Sequence, residues 1–280
     1  MFSSFMMSTW IAASMVAVIA GMVGYFAVLR GSTFAAHAIP QGAFAGAAGA
    51  SLISASTILG LGVFAVAGAL VIGWLGRRGP KDVATALVLV VLLGMGALFL
   101  SFSVEYAPEI YSLLFGEVLG VSSSDLLPLA VLGVICIAAI AVLYRPLTLT
   151  SVLADVGEAR GVRASRMESY FLVIVALATT MTVPVVGAFL MFSLMIAPAA
   201  SARLLTTRPM RSMALSVVIA VVTVWAAVFA SFESQWPVGF FVGTLGAVAY
   251  GLARGWVALR HGGQLRRGPR LAAATTAALQ

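Results

Sequence analysis

The chain has 280 residues, of which 62% are hydrophobic and only 9% are charged, and its mean hydropathy is +1.10. Soluble domains carry about 25% charged residues, so this composition excludes a soluble globular protein and predicts a polytopic membrane protein. The formal net charge is +7. The basic residues lie between apolar runs, however, which indicates membrane topology and no nucleic-acid partner.

Seven runs of the sequence contain no Asp, Glu, Lys or Arg. A helix needs about 20 apolar residues to cross a bilayer, and two of these runs are long enough to cross it twice. Their continuous apolar character predicts an all-α protein embedded in membrane lipid. The runs are residues 1–29, 34–76, 83–104, 126–144, 169–202, 212–232 and 234–253.

The 16 Lys and Arg residues lie in five islands, which the positive-inside rule places in the cytoplasm. Runs 34–76 and 169–202 each join two islands, so each must cross outwards and return. We expect the turns near Ser54–Ser56 and near Thr182–Pro184 and Gly187. This predicts nine traverses, with the N-terminus outside and the C-terminus cytoplasmic; the alternative is eight full helices and one re-entrant segment. The islands are Arg30 and residues 77–81, 145–166, 203–211 and 254–270.

The charge pattern also divides the chain into two parts. We expect residues 1–258 to form the transmembrane domain, and residues 259–280 to form a basic, disordered cytoplasmic tail. His261, one of the two histidines, lies in that tail, where we expect it to be solvated.

The other histidine, His37, lies in the stretch GSTFAAHAIPQGAFAG, residues 31–46, among small and apolar residues. Thr33, His37 and Gln41 are spaced at i, i+4 and i+8, so they share one face of a helix. An ionisable residue inside a span is a functional-site candidate by default, and imidazole is a good ligand for Zn²⁺. The alternative is a structural hydrogen bond to a neighbouring helix.

Two loops have features beyond those of simple connectors. The stretch LADVGEARGVRASRMESY, residues 153–170, has acids followed by arginines, which suits a short helix because the order matches the helix dipole. It is either an ordinary basic loop or a rigid segment that docks on a cytosolic partner. The acidic outer loop, residues 107–130, is predicted to be amphipathic and to lie along the membrane interface.

Sequence motifs for catalysis are missing from the chain. It contains no Gly-x-x-x-x-Gly-Lys-Ser/Thr phosphate-binding loop and no His-Glu-x-x-His or Cys-x-x-Cys motif, which would hold nucleotide or metal. Active transport would therefore need a separate motor. We expect no catalytic residue and no cofactor bound by this chain.

Four stretches, in this order, resemble the permease subunits of the zinc/manganese-type ABC importers, and the likeness runs from about residue 9 to residue 257. The third of them, residues 155–162, resembles the segment that contacts the ATPase in that family, and we name it the coupling segment. The four are STFAAHAIPQG (32–42), LLFGEVLGVSSSDLL (113–127), DVGEARGV (155–162) and VGAFLMFSLMIAPAASARLL (186–205).

The resemblance implies an all-helical permease that forms a homodimer around a central pathway. A cytosolic ABC ATPase would hydrolyse ATP beneath it, and an extracytoplasmic metal-binding protein would deliver zinc or manganese from above. His37 and Thr33 would contact the cation, although the family has Asp where this chain has Thr33, and Gln41 would be their neighbour. The rival functions are a permease for another cargo, such as a metal chelate, and an ATPase-independent carrier or channel. The coupling residues would be Asp155, Gly157, Glu158, Ala159 and Gly161.

Overall fold

The computed structural model describes residues 4–102, 121–123 and 125–265, and these form ten α-helices. The outer loop predicted for residues 107–130, and with it most of the second family-like stretch, lies largely outside the described residues. The helices are α1 (Ser4–Arg30), α2 (Thr33–Leu52), α3 (Thr57–Leu75), α4 (Lys81–Ser101), α5 (Leu126–Val152), α6 (Ala154–Ala159), α7 (Ala164–Val186), α8 (Ala188–Leu205), α9 (Pro209–Ser234) and α10 (Val238–Leu265).

Seven of these helices are long and apolar enough to cross a membrane, namely α1, α3, α4, α5, α7, α9 and α10. Helix α2, with 20 residues, and α8, with 18, bring the number of long helices among the described residues to nine, which is consistent with the predicted eight to nine. Helix α10 continues to Leu265, so it extends past residue 258, where the sequence predicts the transmembrane domain to end.

Helices α1 and α7 form the centre of the bundle, since most of their residues are buried, whereas α4, α5 and α10 expose long apolar faces. Helix α2 is polar for a membrane helix, but 13 of its 20 residues are buried against α3, α4, α7 and α8. Because neighbouring helices cover most of its surface, α2 needs fewer lipid-facing apolar side chains than they do.

The first predicted turn is confirmed, and the second break is present at Gly187, but Thr182–Pro184, where it was also expected, lie within α7. Helix α2 ends at Leu52 and α3 begins at Thr57, which places the first turn at residues 53–56. The second break lies at Gly187, whose φ of 84° and ψ of 155° belong to a region that only glycine occupies readily. Helix α8 has 18 residues and is about 27 Å long at about 1.5 Å per residue, slightly short for a bilayer core of about 30 Å.

The glycines of α2 and α3 allow these helices to approach closely. A Cβ atom on Gly46 would overlap the carbonyl oxygen of Gly60, and a Cβ on Gly60 would overlap that of Gly46. Small residues at such a crossing let two backbones touch, which is the common mode of helix packing in membranes. The contact fixes α2 against α3.

Candidate functional site

Thr33, His37 and Gln41 form a row along α2, and we call them the polar row. All three are partly exposed, whereas the residues between them, such as Ala36 and Ile39, are buried. The predicted shared face is therefore present, and it opens onto a surface instead of facing the core. The chain does not itself complete a cation site there: among the described residues, no group of three or more His, Cys, Asp or Glu could hold a metal ion.

The His37 ring contacts Phe192 of α8. The two ring centroids are 4.4 Å apart and the planes meet at 62°, an edge-on arrangement. The Nδ1 atom of His37 is buried and has no hydrogen-bond partner among the described residues. Among the described residues, His37 therefore makes no structural hydrogen bond to a neighbouring helix through Nδ1.

Phe192 is a residue that the sequence analysis did not single out. It lies within the family-like stretch 186–205, on α8, together with Ser193, Ile196 and Ala197, which are also only partly buried. Their spacing of three to four residues places them on one face of α8. The partly open faces of α2 and α8 thus meet at His37 and Phe192, and this pair marks the candidate pathway surface.

The coupling segment contains the short helix α6, so the predicted helix in this loop is confirmed. Asp155 lies in its first turn, where a negative charge is favourable. Asp155, Glu158, Ala159 and Gly161 are exposed and available to a partner. Gly157 is buried, with the Thr150 side chain 3.2 Å from where its Cβ would lie, so its role is to seat α6 against the end of α5.

Apolar side chains accompany the acids on this surface. Val152 is 57% exposed, Leu153 is 54% exposed and Val156 is 40% exposed. Val152 is the last residue of α5, Leu153 directly precedes α6, and Val156 lies in α6. A mixed apolar and acidic surface of this kind is typical of a contact site for another protein.

A second polar cluster lies at the end of α1, and we call it the Arg30–Glu168 junction. The guanidinium of Arg30 donates from Nη2 and Nε to Oε2 of Glu168, at 2.9 and 3.2 Å, and the two side chains are only 5% and 12% exposed. Its members are Arg30, Ser32, Thr150, Ser151 and Glu168.

Each polar group of the junction has a partner. Arg30 Nη1 donates to Thr150 Oγ1 and Ser151 Oγ, both at 3.1 Å. Ser32 Oγ donates to the second carboxylate oxygen, Oε1 of Glu168, at 2.6 Å. Lys81 Nζ lies 3.6 Å from Oε2 of Glu168, but its side chain is 64% exposed, so it adds less than Arg30 does.

In the sequence, Arg30 indicates membrane topology, and this junction was not predicted. Glu168 is separated from Arg30 by 138 residues, so no local pattern pairs them. The signal that could have identified it is an acid, Glu168, at the start of a run that contains no other charge up to residue 202.

Comparison with known proteins agrees with this architecture. The ABC 3 transport family matches residues 2–254. The manganese transport system membrane protein MntC of Listeria monocytogenes is 28% identical over 207 residues, which cover 73% of this chain and 74% of that protein. The manganese import system permease protein ScaB of Streptococcus parasanguinis is 26% identical over 202 residues, or 71% of this chain and 72% of the relative.

The fold itself has a solved counterpart. A chain in the structure of PsaBC from Streptococcus pneumoniae in complex with Fab superposes with a TM-score of 0.81 at 21% sequence identity, covering 90% of this chain and 91% of that chain. Since the family match extends over most of the sequence, this chain belongs to the ABC 3 transport family and is a multi-pass membrane permease of an ABC transporter.

Proposed function

We propose that this member of the ABC 3 transport family is the permease subunit of an ATP-driven importer of divalent transition metal ions, zinc or manganese. Two copies would enclose the pathway, a cytosolic ABC ATPase would hydrolyse ATP, and an extracytoplasmic binding protein would deliver the ion. The observation that carries the proposal is His37, an imidazole that is partly exposed on the open face of α2. The manganese transport relatives support it.

His37 would contact the passing ion in each copy, and Thr33 would add a hydroxyl oxygen one helical turn away. Neutral imidazole binds Zn²⁺ well and binds the harder Mn²⁺ less well, while carboxylate and other oxygen ligands suit Mn²⁺. Two imidazoles and two hydroxyls from two copies would hold a divalent ion weakly. Weak binding suits a pathway, because the ion must leave as well as enter. Gln41 would border the same surface.

The coupling segment would bind the ATPase through its exposed acids and the adjacent apolar side chains. The contact would be made by its exposed residues, Asp155, Glu158, Ala159 and Gly161. Gly157 would allow α6 to pack against the end of α5. This arrangement requires the coupling segment to face the cytoplasm. It agrees with the proposed orientation, in which the N-terminus is outside and the C-terminus is inside.

The first experiment replaces His37 and measures metal uptake. His37→Ala, coexpressed with the ATPase and the binding protein of the same importer, should lower zinc or manganese uptake at least about tenfold, which corresponds to about 1.4 kcal/mol of lost binding. Membrane insertion should be unaffected. His261→Ala is the matched control because it removes the other histidine, and its uptake should equal wild type. Unchanged uptake in His37→Ala would contradict a pathway role.

The second experiment tests whether a cytosolic ATPase binds the coupling segment. The ATPase should co-purify with the detergent-solubilised permease, and scrambling residues 155–161 should abolish that association while the permease still inserts and remains folded. Scrambling residues 206–211, a basic stretch that joins α8 to α9 and includes the first three residues of α9, is the control and should leave association intact. Metal uptake in sealed vesicles that contain no ATP would contradict the proposal and support a carrier or channel.

A further inference from the structure

The Arg30–Glu168 junction lies between the coupling segment and α2, the helix that carries the polar row. One of its members, Ser32, immediately precedes α2, which carries the polar row. Thr150 and Ser151 belong to the last turn of α5, directly before the coupling segment, and Glu168 belongs to the first turns of α7, directly after it. The junction therefore touches both ends of the loop that holds the coupling segment, and also the start of the pathway helix.

The bonds within the junction form a continuous chain between these elements. Arg30 connects the end of α5 to Glu168 through its bonds to Thr150 and Ser151. Glu168 in turn accepts a short hydrogen bond of 2.6 Å from the Ser32 hydroxyl. One carboxylate oxygen is used for Arg30 and the other for Ser32, so both contacts are made at the same time.

Burial makes this chain of contacts stiff. The Arg30 side chain is 5% exposed and that of Glu168 is 12% exposed, and Ser32 is 7% exposed. A buried charge that leaves its partner loses more free energy than an exposed one, because water cannot replace the lost contact. Elements joined by such groups are expected to move together instead of sliding past one another.

We propose that Arg30, Ser32 and Glu168 are positioning residues that pass movement of the coupling segment to α2 and so to His37. The inference rests on the proposed function, because it needs an ATPase that moves the coupling segment. The contact between Ser32 and Glu168 is the final link, since it joins the loop-bearing helix α7 to the residue that begins α2. None of the three residues touches the ion.

Ser32→Ala is the sharpest test because it removes only the last link. The Arg30–Glu168 ion pair keeps all of its own hydrogen bonds, so the loop anchors stay in place. The experiment uses the complete importer in proteoliposomes, with zinc or manganese as the ion. ATPase association and the rate of ATP hydrolysis should stay within about twofold of wild type, while metal uptake per ATP hydrolysed should fall at least about fivefold, the lower end of typical coupling between sites.

Ser169→Ala is the matched control on the same helix. Ser169 neighbours Glu168, and its hydroxyl accepts a hydrogen bond from Arg77 at 2.8 Å, outside the junction. This variant makes the same chemical change and should keep the wild-type ratio of uptake to hydrolysis. Ser32→Thr, which restores a hydroxyl, should recover at least half of the ratio that Ser32→Ala loses.

A second measurement reads the position of α2 directly. The single native cysteine, Cys136, is buried and can be removed by Cys136→Ala, after which Gln41→Cys places one thiol on the polar row. ATP should change the labelling rate of this thiol by a maleimide reagent when Ser32 is present. The ATP-dependent change should be lost in Ser32→Ala, although hydrolysis continues.

The outcomes separate the inference from the proposed function. If the wild-type importer shows no ATP-driven metal uptake, the proposed function fails. If wild type transports and Ser32→Ala transports as much metal per ATP, the inference is wrong. It is also wrong if Ser32→Ala lowers hydrolysis and uptake in parallel, because the serine would then support assembly and not transmission.

Discussion

Two polar regions lie only a few residues apart in this chain and are built in opposite ways. In the Arg30–Glu168 junction every charged group is buried and paired. In the polar row, His37 is partly exposed, its Nδ1 has no partner among the described residues, and Thr33 carries no charge. Fully satisfied polar clusters fix structure, whereas an unsatisfied group inside a span costs stability and is typical of a functional site.

The difference teaches which polar residue serves which purpose. Arg30 looks in the sequence like a topology signal, and His37 looks like a misplaced polar residue. In the structure, Arg30 of α1 bonds to residues of α5 and α7 and so joins three helices. His37 makes no such connection among the described residues. The contrast predicts that removing one charge of the Arg30–Glu168 pair should lower the stability of the fold, whereas removing a polar-row residue should impair transport alone.

The largest expected effect is the loss of stability in Arg30→Ala. If that loss were absent, the contrast between the Arg30–Glu168 junction and the polar row would not hold. Arg30→Ala leaves the Glu168 carboxylate buried, with the neutral Ser32 hydroxyl and the exposed Lys81 as its remaining partners. Breaking a buried pair by removing one partner typically costs about 3–5 kcal/mol. The free energy of unfolding in detergent, measured by denaturant titration, should fall by about that amount.

The matched control for Arg30→Ala is the double variant Arg30→Met with Glu168→Gln. It removes both charges but keeps similar side-chain lengths, and replacing a buried ion pair by neutral groups of similar volume is often close to neutral. The double variant should regain at least about half of the lost stability. Equal destabilisation in the single and double variants would mean that the ion pair is not the cause.

Much of the fold could be predicted from the sequence, for clear physical reasons. Arginine islands and run lengths obey the energetics of a lipid core, so the turn near Ser54–Ser56 and the break at Gly187 could be predicted. The nine long helices are consistent with the predicted eight to nine, although seven of them meet the length and apolarity of a full span. The acids at Asp155 and Glu158 indicated the short helix α6. The shared face of Thr33 and His37 follows from helical geometry alone.

Other features could not be predicted because they depend on tertiary contacts. Arg30 and Glu168 come into contact only after three helices pack, and no local sequence pattern near either residue indicates the pairing. Phe192 lies against His37 because α2 and α8 meet there, and aromatic residues are common in every span. The burial of Gly157 against Thr150 likewise depends on how α6 folds back on α5.

A smaller effect is expected from Thr33→Asp, which sharpens the comparison by adding a charge to the polar row. The carboxylate supplies a hard oxygen ligand beside His37, and such ligands suit Mn²⁺ more than a neutral hydroxyl does. The preference for manganese over zinc should rise about tenfold, or about 1.4 kcal/mol. Uptake of labelled manganese in competition with zinc measures this ratio.

Thr33→Asn is the control for Thr33→Asp because it has the same size as Asp without the charge. Its ratio of manganese to zinc uptake should stay near that of wild type. An equal shift in Thr33→Asn and Thr33→Asp would assign the effect to side-chain shape. No shift in either variant would remove Thr33 from the pathway.

The smallest expected effect is the change in the free energy of unfolding of His37→Phe. Its sign is opposite to that expected for Arg30→Ala. Phenylalanine keeps an aromatic ring against Phe192 and removes the buried Nδ1 atom that has no partner. A buried polar atom without a hydrogen bond is unfavourable, so the free energy of unfolding should stay unchanged or rise by up to about 1 kcal/mol. Metal uptake should be lost in the same variant, because phenylalanine cannot bind a cation through a lone pair. Destabilisation of more than about 2 kcal/mol, a size expected for a lost buried polar network, would mean that His37 holds the fold as Arg30 does.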